Sequence, residues 1–277
     1  MKGLILAAGY GTRFLPVTKT IPKEMLPLID RPSIAFIVDE FIASGIDDIV
    51  IITSRRKKVL EDYFDREIEL EGIFEREGAK AKLEAVAPPA ARFSFIRQQD
   101  MLGTGHALLT ARSLIGNEPF VAAYPDDLHF GDPPLSRQLI ETFEETGCSV
   151  LSAIHNPPNL ERYGILRLAE DYFHVKDIVE KPAPGTEPSK EATIGRYLYT
   201  PDIFAYLDEG WKKHSGGEYY HTYALKKLMD QGRVVYRLCK GERLDTGTPA
   251  GYLRAIVRYA ATMPEYREIL KEVTKDL

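Results

Sequence analysis

One loop limits what this chain can become: Leu6-Ala7-Ala8-Gly9-Tyr10-Gly11-Thr12-Arg13, directly after the apolar run Gly3-Leu4-Ile5-Leu6. The run reads as a strand buried on both faces, which belongs in the core of a parallel sheet. The loop is small, glycine-rich and then abruptly basic. Gly9 and Gly11 let the backbone take positive φ and let a ligand come close to the main chain. Free N–H groups in such a loop form an anion nest. Arg13 adds a planar, permanently charged fork suited to phosphate. A second cation follows between two prolines, in Ile21-Pro22-Lys23-Glu24-Met25-Leu26-Pro27. Together they read as a nucleoside triphosphate site.

Spacing excludes the commoner phosphate loops. A Walker A loop ends in Gly-Lys-Ser/Thr, which is missing here. A dinucleotide fingerprint needs a third glycine where this chain has Phe14. A Gly-x-Gly by itself fits a plain strand-to-helix turn with a solvated Arg. The added Thr12-Arg13 and Pro22-Lys23-Glu24 favour the nucleotide reading.

Residues 6–27 resemble the opening of the sugar-1-phosphate nucleotidyltransferases. The closest pattern is that of the bacterial UTP–glucose-1-phosphate uridylyltransferases, A-A-G-x-G-T-R-x-L-P-x-T-K-x-x-P-K-E-M-L-P. The chain supplies every fixed position of it from Ala7 to Pro27. The resemblance runs nearly end to end, through Gly251 at least. It implies an α/β fold with a Rossmann-like, mainly parallel sheet flanked by helices. It also implies a single nucleotidyltransferase unit: a nucleotide-binding half at 1–156, a sugar-binding half at 157–248 and C-terminal helices at 249–277. The implied activity is uridylyl transfer from UTP to glucose 1-phosphate, giving UDP-glucose and pyrophosphate. Two rivals stand beside it. One is a related enzyme with another base or sugar, above all a thymidylyltransferase making dTDP-glucose. The other is a non-catalytic nucleotide-sugar sensor of the same fold.

Composition agrees with a packed enzyme. The 277 residues are 44% apolar, and the net charge of -5 gives no reason to expect nucleic acid or membrane as partner. No 18-residue apolar stretch or signal peptide is evident, and Cys148 and Cys239 read as reduced core thiols, so a cytoplasmic setting is expected. The C-terminal helices, at 249–262 and 264–275, suggest by resemblance a homo-oligomer of two or four chains.

Helical period with a glycine stop at Gly45 predicts a helix over 33–44, and the apolar run 48–53 a second buried strand. A helix between two such runs is the signature of a parallel βαβ unit. Residues 56–64 read as a short helix, 65–85 as charged and helical at a sheet edge, and 93–97 as a strand. A second strand-to-helix loop follows, Gln98-Gln99-Asp100-Met101-Leu102-Gly103-Thr104-Gly105-His106-Ala107, with its helix expected from 107 to 114. Loops at the carboxyl ends of parallel strands converge on a binding crevice, and an amide can pair with a base edge. The weaker alternative is that Gln98 only caps its own loop. The resemblance assigns the uracil to Gln98 and Gly103, with Glu24 adding a contact, and Ala7, Ala8, Gly9, Gly11 and Thr12 to the nucleotide. His106 reads as a structural loop residue, since an ionised phosphate nucleophile needs no base.

The apolar run 119–124 ends in Pro125-Asp126-Asp127, where a hard cation is expected. Mg2+ takes one or two carboxylates, waters and substrate phosphates. The motif register assigns the metal to Asp126; Asp127 is the competitor. Residues 133–146 read as an amphipathic helix and 148–155 as a strand. Then the pattern shortens into polar-alternating strands at 163–168, 173–180 and 193–200. Tyr163-Gly164-Ile165 and Val179-Glu180-Lys181-Pro182 match the family's sugar motifs. They imply that Gly164 faces glucose, Glu180 accepts its hydroxyls and Lys181 binds the sugar phosphate. Arg196 reads as structural. Two stretches depart from the family. Where it reads E-I-Q-L-T-D-A, the chain reads Glu218-Tyr219-Tyr220-His221-Thr222-Tyr223-Ala224. Where it tends to read Y-D-C-G, the chain reads Leu244-Asp245-Thr246-Gly247-Thr248, closer to the thymidylyltransferases. Asp245 is retained and is implied as the second Mg2+ carboxylate. By the same resemblance Arg13 would neutralise the leaving pyrophosphate, Lys23 the α-phosphate charge and Lys181 the attacking phosphate.

Overall fold

β1 (Lys2–Leu6) is buried along its middle, as its apolar run requires. In this computed structural model, which describes residues 1–275, it lies inside a nine-stranded sheet. A small hairpin of β2 (Pro27–Leu28) and β3 (Arg31–Pro32) precedes α1 (Ser33–Ala43). β4 (Asp48–Thr53) then runs parallel to β1, with Leu4 beside Val50. Three short helices, α2 (Lys58–Phe64), α3 (Ile68–Glu77) and α4 (Lys80–Val86), lead to β5 (Arg92–Arg97), the parallel edge strand beyond β4. α5 (Thr104–Ile115) crosses to β6 (Phe120–Ala123), which returns parallel to β1 on its other side.

The second half of the chain extends the same sheet with strands of both senses. β7 (Asp127–Phe130) and α6 (Leu135–Thr146) precede β8 (Ser149–His155), β9 (Gly164–Leu168), β10 (Val175–Glu180) and the long β11 (Glu191–Tyr199). β11 is antiparallel to β6, β8 and β9, so the sheet is mixed. α7 (Ile203–Lys213) and α8 (Thr222–Met229) pack behind it. β12 (Val234–Leu238) joins β8 in parallel, and β13 (Glu242–Asp245) pairs with β7 as a separate two-stranded ribbon. α9 (Pro249–Ala260) and α10 (Pro264–Val273) close the described chain.

Alternation along the strands gives the sheet two cores. Leu4, Val50 and Ile52 face α5, α7 and α8. Ile5, Ile49 and Ile51 face α1, α2, α6 and α9. Across the second face a buried ion pair joins α1 to β11: Arg196, 1% exposed, donates Nε and Nη2 to the Glu40 carboxylate at 2.9 and 2.7 Å.

Several expectations need correction. α5 starts at Thr104, not Ala107. Gly105, read as a loop residue, lies within the helix, where a Cβ would come 2.8 Å from the Tyr219 ring. The 65–85 stretch is two helices broken at Gly78, whose φ is 66°, and neither buries a residue. Cys148 and Cys239 are free but only half-buried, just outside β8 and β12 rather than in the core. Residues 276–277 of the C-terminal segment lie outside the described residues.

Candidate active site

Two cavities open side by side at the carboxyl ends of β1, β4 and β6. The smaller, about 500 Å3, is bordered by Ala8, Gly9, Gly11, Thr12, Gln98 and Gly103, among others. The larger, about 590 Å3, is bordered by Arg13, Gly164, Glu180, Lys181 and Asp245. Thr104, Tyr124 and Asp126 border both, so the two meet at the end of β6.

The first loop takes its shape from the strands on either side. The Ala7 N–H donates to the Ile52 carbonyl at 2.9 Å, which prolongs the β1–β4 pairing by one residue. Ala7 itself is sealed behind the cavity wall. Gly11 takes positive φ (68°), whereas Gly9 does not. Glu24 is placed differently from the base contact expected of it. It is 1% exposed, and Lys57 Nζ donates to both its carboxylate oxygens, at 2.8 and 2.7 Å. The same ammonium donates to the Ala7 carbonyl at 2.6 Å. Burial lowers the Lys57 pKa below its ordinary value although Glu24 opposes this. Glu24 therefore stands as a structural anchor of the phosphate loop. Lys57 was missed because nothing in Ser54-Arg55-Arg56-Lys57-Lys58 marks one lysine of the run as buried.

The second loop is held by its own amide. Gln98 Nε2 donates to the Gly103 carbonyl at 3.1 Å and lies 3.0 Å from His106 Nδ1. This is the cap reading for Gln98, and it leaves Oε1 as the part not used by the loop. Gly103 has φ 95°, and a Cβ there would meet the Tyr219 carbonyl at 2.5 Å. The segment that drifts from the family pattern thus lies directly across this loop. Tyr219 N–H donates to Leu102 O at 2.7 Å, and Gly105 N–H to Tyr219 O at 2.8 Å. It also brings Glu218 to the smaller cavity and Tyr220, His221 and Thr222 to the larger one. Tyr223, in place of the family's Asp, donates its hydroxyl to Glu209 on α7 at 2.8 Å and borders neither cavity.

At the seam, Lys23 Nζ meets Asp126 Oδ2 at 2.5 Å. Burial works against both charges, yet each sustains the other: Asp126 is held below the usual carboxylate range and Lys23 above its ordinary value. Asp127 is already committed. Arg243 donates Nε and Nη2 to its two oxygens at 2.7 and 3.0 Å, and the Gly195 N–H adds a third bond at 2.7 Å. Asp126 and Asp245 converge instead. A Cβ on Gly247 would lie 2.9 Å from Asp126 Oδ2 and 3.0 Å from Asp245 Oδ1, so the missing side chain is what lets both carboxylates approach one point. Among the described residues no group of three or more His, Cys, Asp or Glu side chains is poised for a metal. Two carboxylates beside a phosphate loop suit Mg2+, which draws its other oxygens from water and substrate. Arg13 reaches this point too, donating Nη1 to the Gly247 carbonyl at 3.3 Å. It borders the larger cavity rather than the smaller one.

On the far side, Gly164 leaves room for Glu180, whose Oε1 would lie 3.0 Å from a Cβ there. Lys181 follows in the left-handed region, φ 46°, with its N–H on the Tyr163 carbonyl at 2.9 Å. A lysine in that conformation is costly and marks a constrained turn.

The family model for nucleotidyl transferases matches residues 2–262. The curated UTP--glucose-1-phosphate uridylyltransferase of Staphylococcus haemolyticus (strain JCSC1435) is 41% identical, covering 100% of this chain and 98% of that protein. A crystal structure of UDP-glucose pyrophosphorylase complexed with UDP-glucose superposes with a TM-score of 0.81 at 39% identity, covering 95% of this chain and 99% of that one. A UTP-bound UGPase from Acinetobacter baumannii gives a TM-score of 0.89 at 30% identity, covering 100% and 99%. The chain belongs to the nucleotidyl transferase family and, within it, to the UTP–glucose-1-phosphate uridylyltransferases.

Proposed function

We propose that the chain transfers the uridylyl group of UTP to α-D-glucose 1-phosphate, releasing pyrophosphate and UDP-glucose. The observation that carries this is the pair of cavities meeting at Asp126, one bordered by the glycine-rich loop and the other by Glu180 and Lys181. The smaller cavity takes the nucleotide, with Ala8, Gly9, Gly11 and Thr12 along its phosphates and Gln98 and Gly103 at the base. The larger takes the sugar phosphate, with Gly164 and Glu180 at its hydroxyls.

The attacking oxygen belongs to an ionised phosphate, so no general base is required. The residues position the two substrates in line and offset their charge. Lys181 holds the sugar phosphate near the triphosphate against like-charge repulsion. Lys23 stabilises charge at the α-phosphorus, and Arg13 does so on the leaving pyrophosphate. Asp126 and Asp245 would hold Mg2+, which when bound supplies further charge neutralisation to the phosphates. Asp127 orients Arg243 and β13, and so the strand that delivers Asp245.

Leu253, Val257, Ile269 and Val273 are exposed on α9 and α10, which supports a homo-oligomer of two or four chains through this end. No helix among the described residues is long and apolar enough to cross a membrane. A cytoplasmic setting fits the expected thiol state and substrates.

Pyrophosphate release, measured across UTP, dTTP, CTP and GTP with glucose, galactose and mannose 1-phosphates, tests the reading. The highest kcat/KM is expected for UTP with glucose 1-phosphate. Asp245-Thr246-Gly247-Thr248 favours the thymidylyltransferase as second reading, and a dTTP preference would establish it. Binding of nucleotide sugar with no turnover on any pair would mean a sensor.

A further inference from the structure

His221 borders the larger cavity and is 8% exposed. Its place is fixed from both ends of the site. It immediately precedes α8, where the Leu225 N–H donates to its carbonyl at 3.1 Å. Its Nδ1 lies 3.1 Å from the Thr104 hydroxyl at the head of α5. Its ring stands 5.3 Å from that of Tyr197 and 6.2 Å from that of Tyr199. Among the described residues no hydrogen bond reaches Nε2. That nitrogen is not sealed away either: the buried polar atoms without a partner include both ring nitrogens of His129 but neither of His221. The open space that the ring borders is the cavity. Burial pushes the imidazole down to about 4, so it is neutral near pH 7. With Nδ1 engaged by Thr104, a neutral ring presents Nε2 as one donor or one acceptor, in a fixed direction. In the family pattern this position is Leu, which offers neither.

We propose that His221 is a specificity-determining residue, pairing Nε2 with one hydroxyl of the hexose ring. The inference rests on the reading of the larger cavity as the sugar-phosphate subsite. A bound sugar lacking that hydroxyl would cover Nε2 and leave it unpaired, and sites built around a hydrogen bond discriminate in this way. Thr104, the other partner of the ring, borders both cavities, so the contact also fixes the sugar relative to the seam at Asp126.

The test is steady-state kinetics of the wild type, His221→Leu, His221→Gln and Glu180→Gln. Each is assayed with glucose 1-phosphate and with its 2-, 3-, 4- and 6-deoxy analogues. KM for UTP and a thermal melt serve as controls on the fold. His221→Leu is expected to lower kcat/KM about tenfold for glucose 1-phosphate and for three of the analogues. For the fourth it should cost almost nothing, because the partner hydroxyl is already gone. His221→Gln, which keeps a polar group, should recover part of the loss, and KM for UTP should stay within twofold of the wild type. An equal loss on all five sugars, or none on any, overturns the inference. If Glu180→Gln raises the sugar KM while His221→Leu does not, the cavity reading stands and only the role of His221 falls. If neither variant moves it, both fall.

Discussion

Arg243 grips Asp127 through two bonds, Nε to Oδ1 at 2.7 Å and Nη2 to Oδ2 at 3.0 Å, while Asp126, one residue earlier, meets Lys23 at the cavity seam. Neighbouring carboxylates therefore have different work. Asp127→Asn should lower stability by about 2 kcal/mol, since it leaves a mostly buried guanidinium with only the more distant Asp245, at 3.6 Å, as charge partner. Asp126→Asn and Asp245→Asn should remove most turnover, by at least about 100-fold, with the fold intact. Denaturant melts beside turnover numbers separate the two. A stable but inactive Asp127→Asn would put the metal at Asp127 instead.

Glu24 and Lys57 predict a further separation. Breaking a buried pair strands a charge, so Glu24→Gln should cost about 3 kcal/mol of stability. It should also loosen the phosphate loop, because the same ammonium holds the Ala7 carbonyl. The ratio of kcat/KM for UTP over dTTP should not change. That ratio is expected to be modest in the wild type, as one methyl group is worth about 1–3 kcal/mol. A shifted ratio in Glu24→Gln would restore a role at the base.

These two pairs also mark what the sequence could and could not convey. The apolar runs of β1, β4 and β6, the helix stop at Gly45 and both glycine-containing loops are readable, because each is a local pattern with a period or a punctuation mark. Asp126 and Asp127 could be ranked only by motif register. What sets them apart in the fold is Arg243, which lies 116 residues from Asp127 and reaches it because β13 pairs with β7, Asp245 opposite Asp127. That ribbon is only four residues on each side, too short for a period to identify it. The motif implies a base contact for Glu24, whereas its carboxylate is buried against Lys57, 33 residues on. Arg196 reads as structural from the sequence, but nothing in the apolar period of residues 33–44 points to Glu40 as its partner. Long-range charge pairs leave no trace in local pattern; the fold alone brings them together.

Arg13 and Lys181 both border the larger cavity, yet they arrive from opposite ends of it. Arg13 reaches the Gly247 carbonyl beside Asp245, whereas Lys181 follows Glu180 on the sugar side. Arg13→Ala should lower kcat/KM for UTP by about 100-fold or more. Lys181→Ala should mainly raise KM for glucose 1-phosphate. Initial rates with each substrate varied in turn give the comparison. Equal changes in both apparent affinities would mean that the two cations serve one shared phosphate position rather than two.

His221 should also leave a signature in stability against pH. Its ordinary value is 6.5, and burial lowers it to about 4 in the folded chain. Between these limits the unfolded chain binds a proton that the folded chain refuses, so unfolding gains protons as pH falls. The sign is therefore fixed: this contribution is intact above about pH 6.5, declines as pH drops below it and has gone by about pH 4. Acid loss from Glu40 and Asp126, both held below their usual range beside Arg196 and Lys23, comes from carboxylates and persists in any His221 variant. The difference in unfolding free energy between wild type and His221→Leu, measured from pH 8 to pH 4, isolates the histidine. It should be flat above pH 7 and fall steadily below 6.5, with the wild type losing ground to the variant. A difference that stays constant down to pH 4 would mean that the folded imidazole accepts its proton as readily as the unfolded one, and the downward shift caused by burial would have to be abandoned.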